Sequence, residues 1–328
     1  MKALVTGATG FIGSHVVDLL LSKGFEVSCT IRKTSNLRWL EGKPLKLVEA
    51  SFSDVESLKK ATVGIDYIFH VAGATFARNY EEFLKSNRDA TRNLLQAAKE
   101  TTPELKRFLF VSSQTVAGPS ESIDKPKTEK DECKPITSYG KSKKAAEEEV
   151  LKVKDRLPIT IVRPPAVIGP RDTAIVPIFK GVSNGLATLI GFRPKHISLI
   201  HSEDLARGIV DAALSDNTIG EIYFVASSKF YTWDEIMEMM KKSTCRKFVL
   251  KLKLPHFLVL GAGAISEFLG KLAPKPPVFN YEKAQDFIQE FWTCSIEKAK
   301  KDFGYDQLLP MDKAIDNTFK WYRDNKWI

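Results

Sequence analysis

Three residues of this 328-residue chain have the types and spacing needed to move a proton: Ser113, Tyr139 and Lys143. Tyr139 and Lys143 stand four apart in Ser138-Tyr-Gly-Lys-Ser-Lys143, which opens a helical pattern rich in Ala and Glu from Ala145 to Glu149. Side chains four apart share a helix face. A tyrosine releases its proton at about pH 10, and a neighbouring ammonium favours the phenolate, drawing that value toward working pH. Such a phenol exchanges a proton with an alcohol or carbonyl oxygen. Ser113 ends the apolar run Phe108-Leu-Phe-Val-Ser-Ser-Gln-Thr115, where its hydroxyl would hydrogen-bond the same oxygen.

A Tyr-x-x-x-Lys pair is common by chance, so its meaning rests on the elements around it. The chain begins with a buried strand, Ala3 to Thr6, that runs into Gly7, Gly10 and Gly13 and then into an amphipathic helix carrying Ile12, Val16, Val17, Leu20 and Leu21. Gly7 lets the chain turn off the strand, Gly10 lets backbone approach a pyrophosphate, and Gly13 lets the helix pack closely on the sheet. The helix N-terminus then offers free amides to phosphate, and the positive charge of an oxidised nicotinamide would further favour a Tyr139 phenolate. The second strand ends Val27-Ser-Cys-Thr-Ile-Arg-Lys33, with no acidic residue to hold an adenosine ribose. Arg32 and Lys33 there point to a 2′-phosphate, hence to NADP, with NAD the alternative.

Strand runs alternate with helical patterns through the first half: Glu26 to Ile31, Lys46 to Glu49, a helix from Val55, Tyr67 to Val71, a helix through Leu94 and Leu95, and Phe108 to Val111. This pattern predicts an α/β fold, a Rossmann-type doubly wound parallel sheet with ligands at the carboxyl ends of its strands. The fourth strand ends in the small residues Ala72, Gly73 and Ala74, across which a cofactor can lie, and His70 before them reads as a core histidine. Residues 1–166 form the dinucleotide-binding domain. Strands at Ile197-Ser-Leu-Ile-His-Ser-Glu-Asp-Leu-Ala206 and Ile222-Tyr-Phe-Val225 are expected to rejoin its sheet within 197–228, leaving 167–196 and 229–328 as a smaller, discontinuous C-terminal substrate lobe. His201 with Asp204 reads as a helix cap.

Composition excludes several classes. Lysine and arginine outnumber acidic residues 49 to 40, a net +9 spread along the chain, which favours small anionic ligands and gives no case for nucleic acid. Cys29, Cys133, Cys245 and Cys294 are far apart and read as reduced residues, neither a zinc site nor a disulfide framework, so no metal is expected. Met1 runs at once into a core strand, which leaves no room for a signal peptide and implies a cytoplasmic protein. The stretch from Leu254 to Leu272 is apolar nearly all round and reads as a buried helix lining the substrate pocket or a homodimer contact, rather than a membrane segment.

The motifs TGATGFIGSH, FHVAGAT, FVSSQTVAG, YGKSK and VRPPAVIGPRD occur in this order and resemble the extended short-chain dehydrogenase/reductases, the NAD(P)-dependent epimerase/dehydratase group. The resemblance implies Ser113, Tyr139 and Lys143 as catalytic residues, with Lys143 also holding the nicotinamide ribose. It implies cofactor contacts from Gly7, Gly10, Phe11, Ile12, Gly13, Arg32, Ala72 to Ala74, and Pro165 to Val167, and a supporting role for Asn87. Two departures weigh against sugar-nucleotide chemistry. Ala166 stands where the epimerases and dehydratases carry Asn, and Gln114 and Thr115 stand where dehydratases carry an Asp-Glu pair; Ser51 also replaces an adenine-binding Asp. Val-Arg-Pro-Pro with Arg32 is similar to the dihydroflavonol-reductase and 3β-hydroxysteroid-dehydrogenase branch. The expectation is an NADP-dependent oxidoreductase acting on a ketone or secondary alcohol of a small, largely apolar substrate. A nucleotide-sugar epimerase, or a non-catalytic cofactor-binding regulatory or assembly protein, are the alternatives.

Overall fold

A computed structural model describes residues 1–270 and 276–328. The chain opens with β1 (Lys2–Thr6), α1 (Phe11–Ser22), β2 (Glu26–Ile31), β3 (Leu45–Glu49), α2 (Val55–Thr62) and β4 (Tyr67–His70). Then come α3 (Tyr80–Leu84), a π-helical turn at Lys85–Asp89, α4 (Ala90–Thr101), β5 (Arg107–Val111), α5 (Ser138–Leu151) and β6 (Ile159–Arg163). The rest runs β7 (Ala166–Ile168), α6 (Val176–Ser183), β8 (Leu186–Ile190), β9 (His196–His201), α7 (Ser202–Leu214), β10 (Ile222–Phe224), β11 (Phe230–Thr232) and α8 (Trp233–Ser243). It ends with β12 (Leu250–Leu254), α9 (His256–Gly270), α10 (Tyr281–Ile288), β13 (Phe291–Trp292), α11 (Glu297–Phe303) and α12 (Met311–Asp324).

The main sheet is seven-stranded, in the order β10-β6-β5-β4-β1-β2-β3, with every pairing parallel. Its central strands are apolar on both faces because helices cover both. Side-chain alternation divides the core: Ala3, Val5, Phe69 and Leu109 join α1 and α7 on one face, while Leu4, Ile68, Phe108 and Phe110 join α2, α4 and α5 on the other. The strand order reverses between β4 and β1, which opens the ligand crevice at their carboxyl ends.

The segment from Ile197 departs from expectation. β10 does rejoin the main sheet, but β9 pairs with β7, β11 and β13 in a separate four-stranded sheet. An all-buried strand carries no mark of which sheet buries it. His201 caps α7 as expected, its Nδ1 accepting from the Glu203 amide at 3.3 Å, while Asp204 accepts the amides of Leu308 and Leu309. The lobe has its own core, in which Phe179, Ile197, Met237, Met240, Ile315 and Tyr322 meet.

Two further features tie or expose this lobe. Trp39, in the loop after β2, meets Trp321 at 5.8 Å and Trp327 at 6.3 Å between ring centroids, with the Arg38 guanidinium 4.3 Å from the Trp39 ring. Helix α9 is not the buried element its composition predicts: of its residues only Val259 and Gly263 are buried. It packs one narrow face on α10, where a Cβ on Gly263 would lie 2.9 Å from the Ala284 Cβ. The last two residues of the apolar stretch, Lys271 and Leu272, lie outside the described residues, as do the first two of Pro274-Lys-Pro-Pro277, a sequence that reads as a turn.

Candidate functional site

The glycine turn is built for close approach. Gly7 has φ +71°, and a Cβ there would lie 2.7 Å from the Ala72 amide nitrogen, so the turn rests directly on the end of β4. A Cβ on Gly13 would lie 2.2 Å from the Gly7 carbonyl oxygen, which fixes glycine at the helix–strand contact. Gly10 precedes α1 in extended conformation, and no side chain caps the helix and no acid sits in its first turn. Its first amides are therefore free for an anion. Phe11 stacks edge-on against His15 at 5.8 Å, and Ile12, Val71 and Val167 pack against the same core cluster. Pro165 lies between β6 and β7, where the neighbouring Pro164 carbonyl accepts the Gln114 amide at 2.8 Å.

Beyond the turn, Arg32, Lys33 and Thr34 face Glu49, Ser51, Asp54 and Ser57 across a cleft of about 330 Å³. Lys33 pairs with Glu49 at 3.8 Å, both well exposed. The Arg32 side chain is exposed and makes no ion pair among the described residues. The glycine cradle suits the pyrophosphate of a dinucleotide, and the cleft beyond it sets Arg32 and Lys33 opposite Glu49 and Asp54.

Ser113, Tyr139 and Lys143 converge at the carboxyl end of β5. Thr137 caps α5 through the Gly140 amide at 3.1 Å, so Tyr139 stands in the first turn and Lys143 one turn on. The Lys143 ammonium donates to the Val111 carbonyl at 2.7 Å and lies 4.2 Å from the Phe110 ring centroid. Ser113 Oγ accepts from the Thr115 amide at 3.2 Å and the Thr115 hydroxyl at 2.9 Å. Its own proton is left to donate, and the hydroxyl favours the Tyr139 phenolate. Burial, not the neighbouring ammonium, sets the resting titration here. It pushes Tyr139 up to about 12, with the Ser113 bond opposing, and Lys143 down to about 7. The expectation that Lys143 draws the phenol down therefore does not hold in this state: both charged forms lose water.

Asn87 lies in the π-helical turn and is buried. Its Oδ1 accepts the Ala74 amide at 2.8 Å, and its Nδ2 donates to the Ala74 carbonyl at 3.1 Å and to Ser142 Oγ at 2.8 Å. A Cβ on Gly73 would lie 2.9 Å from Asn87 Oδ1 and 3.7 Å from the Lys143 ammonium. The end of β4 and the helix bearing Tyr139 are thus held by one amide. His70 is the core histidine expected, but it extends this network. Thr91 spends its proton on the Asn87 carbonyl at 2.7 Å, so His70 Nε2 must donate to Thr91 at 2.9 Å and Nδ1 must accept from Thr6 at 2.7 Å. Desolvation lowers His70 to about 3, which keeps it neutral.

Two supports escaped sequence reasoning. Glu282 of α10 accepts from the Ser138 amide at 2.8 Å and hydroxyl at 2.7 Å, clamping the lobe onto the first turn of α5. Arg163 and Glu147, both buried, form a two-pronged ion pair at 2.6 and 2.9 Å that ties α5 to β6. No local signal marks Glu282; the Arg163–Glu147 pair was legible only as an arginine in an apolar strand and a glutamate at a helix position that turns inward. Beside Tyr139 a narrow cleft is lined by Phe76, Ala77, Phe83, Pro277, Val278 and Lys283, among others.

The model of the NAD dependent epimerase/dehydratase family matches residues 3–226. The chain is 28% identical to ceramide reductase of Caulobacter vibrioides, over 99% of this chain and 95% of that one. It is also 28% identical to the decarboxylating sterol-4-alpha-carboxylate 3-dehydrogenase of Dictyostelium discoideum, over 96% of this chain and 99% of that one. Its fold is similar to the crystal structure of gox2253, with a TM-score of 0.82 at 27% identity, covering 99% of this chain and 98% of that chain. The chain belongs to the NAD-dependent epimerase/dehydratase family, and so to the extended short-chain dehydrogenase/reductase enzymes that use a nicotinamide cofactor.

Proposed function

We propose that this enzyme is an NADP-dependent oxidoreductase that transfers a hydride between the nicotinamide and a ketone or secondary alcohol on a largely apolar skeleton. The observation that carries this reading is the meeting of a proton-donating Tyr139 and a donor-ready Ser113 at a cleft that has Phe76, Phe83, Pro277 and Val278 in its lining, with Asn280, Glu282, Lys283 and Asp286 beside them. Ceramide reductase and the sterol dehydrogenase, both named for redox chemistry on lipids, support it. A bound dinucleotide supplies the hydride acceptor or donor. Gly7, Gly10 and Gly13 with the first amides of α1 would hold its pyrophosphate, and Arg32 its 2′-phosphate. Lys143, steadied by the Val111 carbonyl, has protons left for the nicotinamide ribose.

In the reductive direction Ser113 donates a hydrogen bond to the carbonyl oxygen, and Tyr139 gives that oxygen its proton as charge develops there. With its titration pushed up to about 12, Tyr139 is a phenol at neutral pH, the form that donates. The test is a panel of alicyclic and long-chain ketones, with UDP- and dTDP-sugars included, followed by NADPH and NADH absorbance. Oxidation of NADPH with apolar ketones is the expected result. Conversion of a nucleotide sugar with no net change in NADPH, and no turnover of any ketone, would replace this reading with the epimerase one.

A further inference from the structure

Helix α9 turns Phe257, Leu258, Gly261, Ala262, Ala264, Ile265, Phe268 and Leu269 to solvent, spacings that fall on one continuous stripe at helical period. The large members of that stripe are bare: Phe257 is 70% exposed, Ile265 63% and Phe268 67%. The opposite face is narrow and small-residued. Gly263 sits on Ala284, Gly270 sits on Pro277, and the Ser266 hydroxyl donates to the Phe279 carbonyl at 2.7 Å. Glu267, the helix's single acid, accepts the Tyr281 amide at 3.1 Å and so is turned toward α10. The strand leading into α9 is inverted in the same sense. In Leu250-Lys-Leu-Lys-Leu254 the leucines 250 and 252 are exposed, while Lys251 turns to Asp234 and Glu238 of α8.

Charge distinguishes the possible covers. Residues 241–270 contain Lys241, Lys242, Arg246, Lys247, Lys251 and Lys253 against Glu267 alone. Lys242, Arg246, Lys247 and Lys253 are exposed and make no ion pair among the described residues. A second copy of this face would bring like charges together, whereas an anionic lipid surface neutralises them and accepts the aromatic side chains at its headgroup level. No described helix is long and apolar enough to cross a membrane, so α9 would lie in the surface plane. We infer that the β12–α9 face docks the protein on an anionic bilayer surface. Pro277 both touches the end of α9 and lines the cleft beside Tyr139, so the docked surface lies at the rim of that cleft. Delivery of an apolar substrate from the bilayer rests on the proposed reaction; the docking does not.

The test is co-sedimentation of the full chain with vesicles, scored without turnover. Vesicles of phosphatidylcholine with about one third phosphatidylglycerol should carry the protein down, pure phosphatidylcholine should not, and raised salt should release it. The double variant Phe257→Ser with Phe268→Ser should lower partitioning about tenfold or more, while NADPH-induced thermal stabilisation, which reports folding, stays the same. Arg246→Glu with Lys247→Glu should abolish the preference for anionic vesicles. Wild type that stays in the supernatant with anionic vesicles overturns the inference, as does a double serine variant that still binds fully. A wild-type dimer in analytical ultracentrifugation that the serine variant converts to monomer also overturns it, since a second copy then covers the face.

Discussion

Helices α1 and α9 are both apolar over most of their length, and the fold uses them in opposite ways. α1 buries Gly13, Ser14, His15, Val16, Val17 and Leu20 between the sheet and α7, whereas α9 buries Val259 and Gly263 and leaves its phenylalanines outside. In both, glycine makes the close contact: Gly13 on the Gly7 carbonyl, Gly263 on α10. The difference is in where the large side chains go. Apolar content says which residues avoid water; only the neighbours decide what covers them. The half of the molecule around α1 is therefore over-determined and should respond to the loss of single atoms, while the face around α9 should tolerate them.

The largest contrast should come from chemistry. Tyr139→Phe removes one oxygen from the packed half and should lower kcat ~10²- to 10⁴-fold with NADPH affinity little changed. Near-normal turnover in steady-state assays would remove Tyr139 from the mechanism. Acid should separate the halves next. His15 and His201 are lowered to about 4 and His70 to about 3 by burial, each below its ordinary 6.5, so the folded protein refuses protons that the unfolded chain accepts. Their contribution is intact above about pH 6.5 and is lost as pH falls below it, by about 2 kcal/mol at most for each at pH 5. Asp172, raised to about 6, works the other way and offsets part of the loss. Urea unfolding should show lower stability at pH 5 than at pH 7; equal stability would mean these histidines are not sealed from water.

Gly13→Ala forces a Cβ against backbone and should cost about 1–3 kcal/mol or more, with weaker dinucleotide binding in the same variant. An unchanged melting temperature would show that α1 is looser than it looks. Arg32→Ala should remove a charge-assisted contact worth ~1.5–3 kcal/mol, seen as a 10- to 150-fold fall in NADPH affinity with NADH affinity unchanged. If both cofactors bind the variant as they bind wild type, the guanidinium faces solvent. The smallest effect belongs to the other helix. A Cβ on Gly261 meets nothing within 4 Å, so Gly261→Ala should stabilise the protein by about 0.5–1 kcal/mol in thermal unfolding. A loss there would mean that the face is more confined than α1.

What the sequence made legible was local. Gly7, Gly10 and Gly13 could be read because turn, approach and packing act within one strand-turn-helix, and Tyr139 with Lys143 because helical period fixes their shared face. The titration of Tyr139 could not, since burial depends on Phe83, Ser113 and α10 closing around it rather than on the lysine four residues away. Glu282 was invisible for the same reason: its partner Ser138 is 144 residues distant. β9 carries the pattern of a buried strand in either sheet, and α9 carries the pattern of a buried helix while lying on the surface.

The tryptophan cluster bears on how the protein is made. Trp39 follows directly on the strand that presents Arg32, yet the rings that pack on it, Trp321 and Trp327, are almost the whole chain away. Contacts so distant in sequence form late, because the closure of a long loop must precede them. During synthesis the parallel sheet can assemble from its early strands while the loop beside Arg32 waits, its indole bare, for α12 to leave the ribosome. The loop that follows Arg32 is thus translated early and is among the last parts of the fold to be finished.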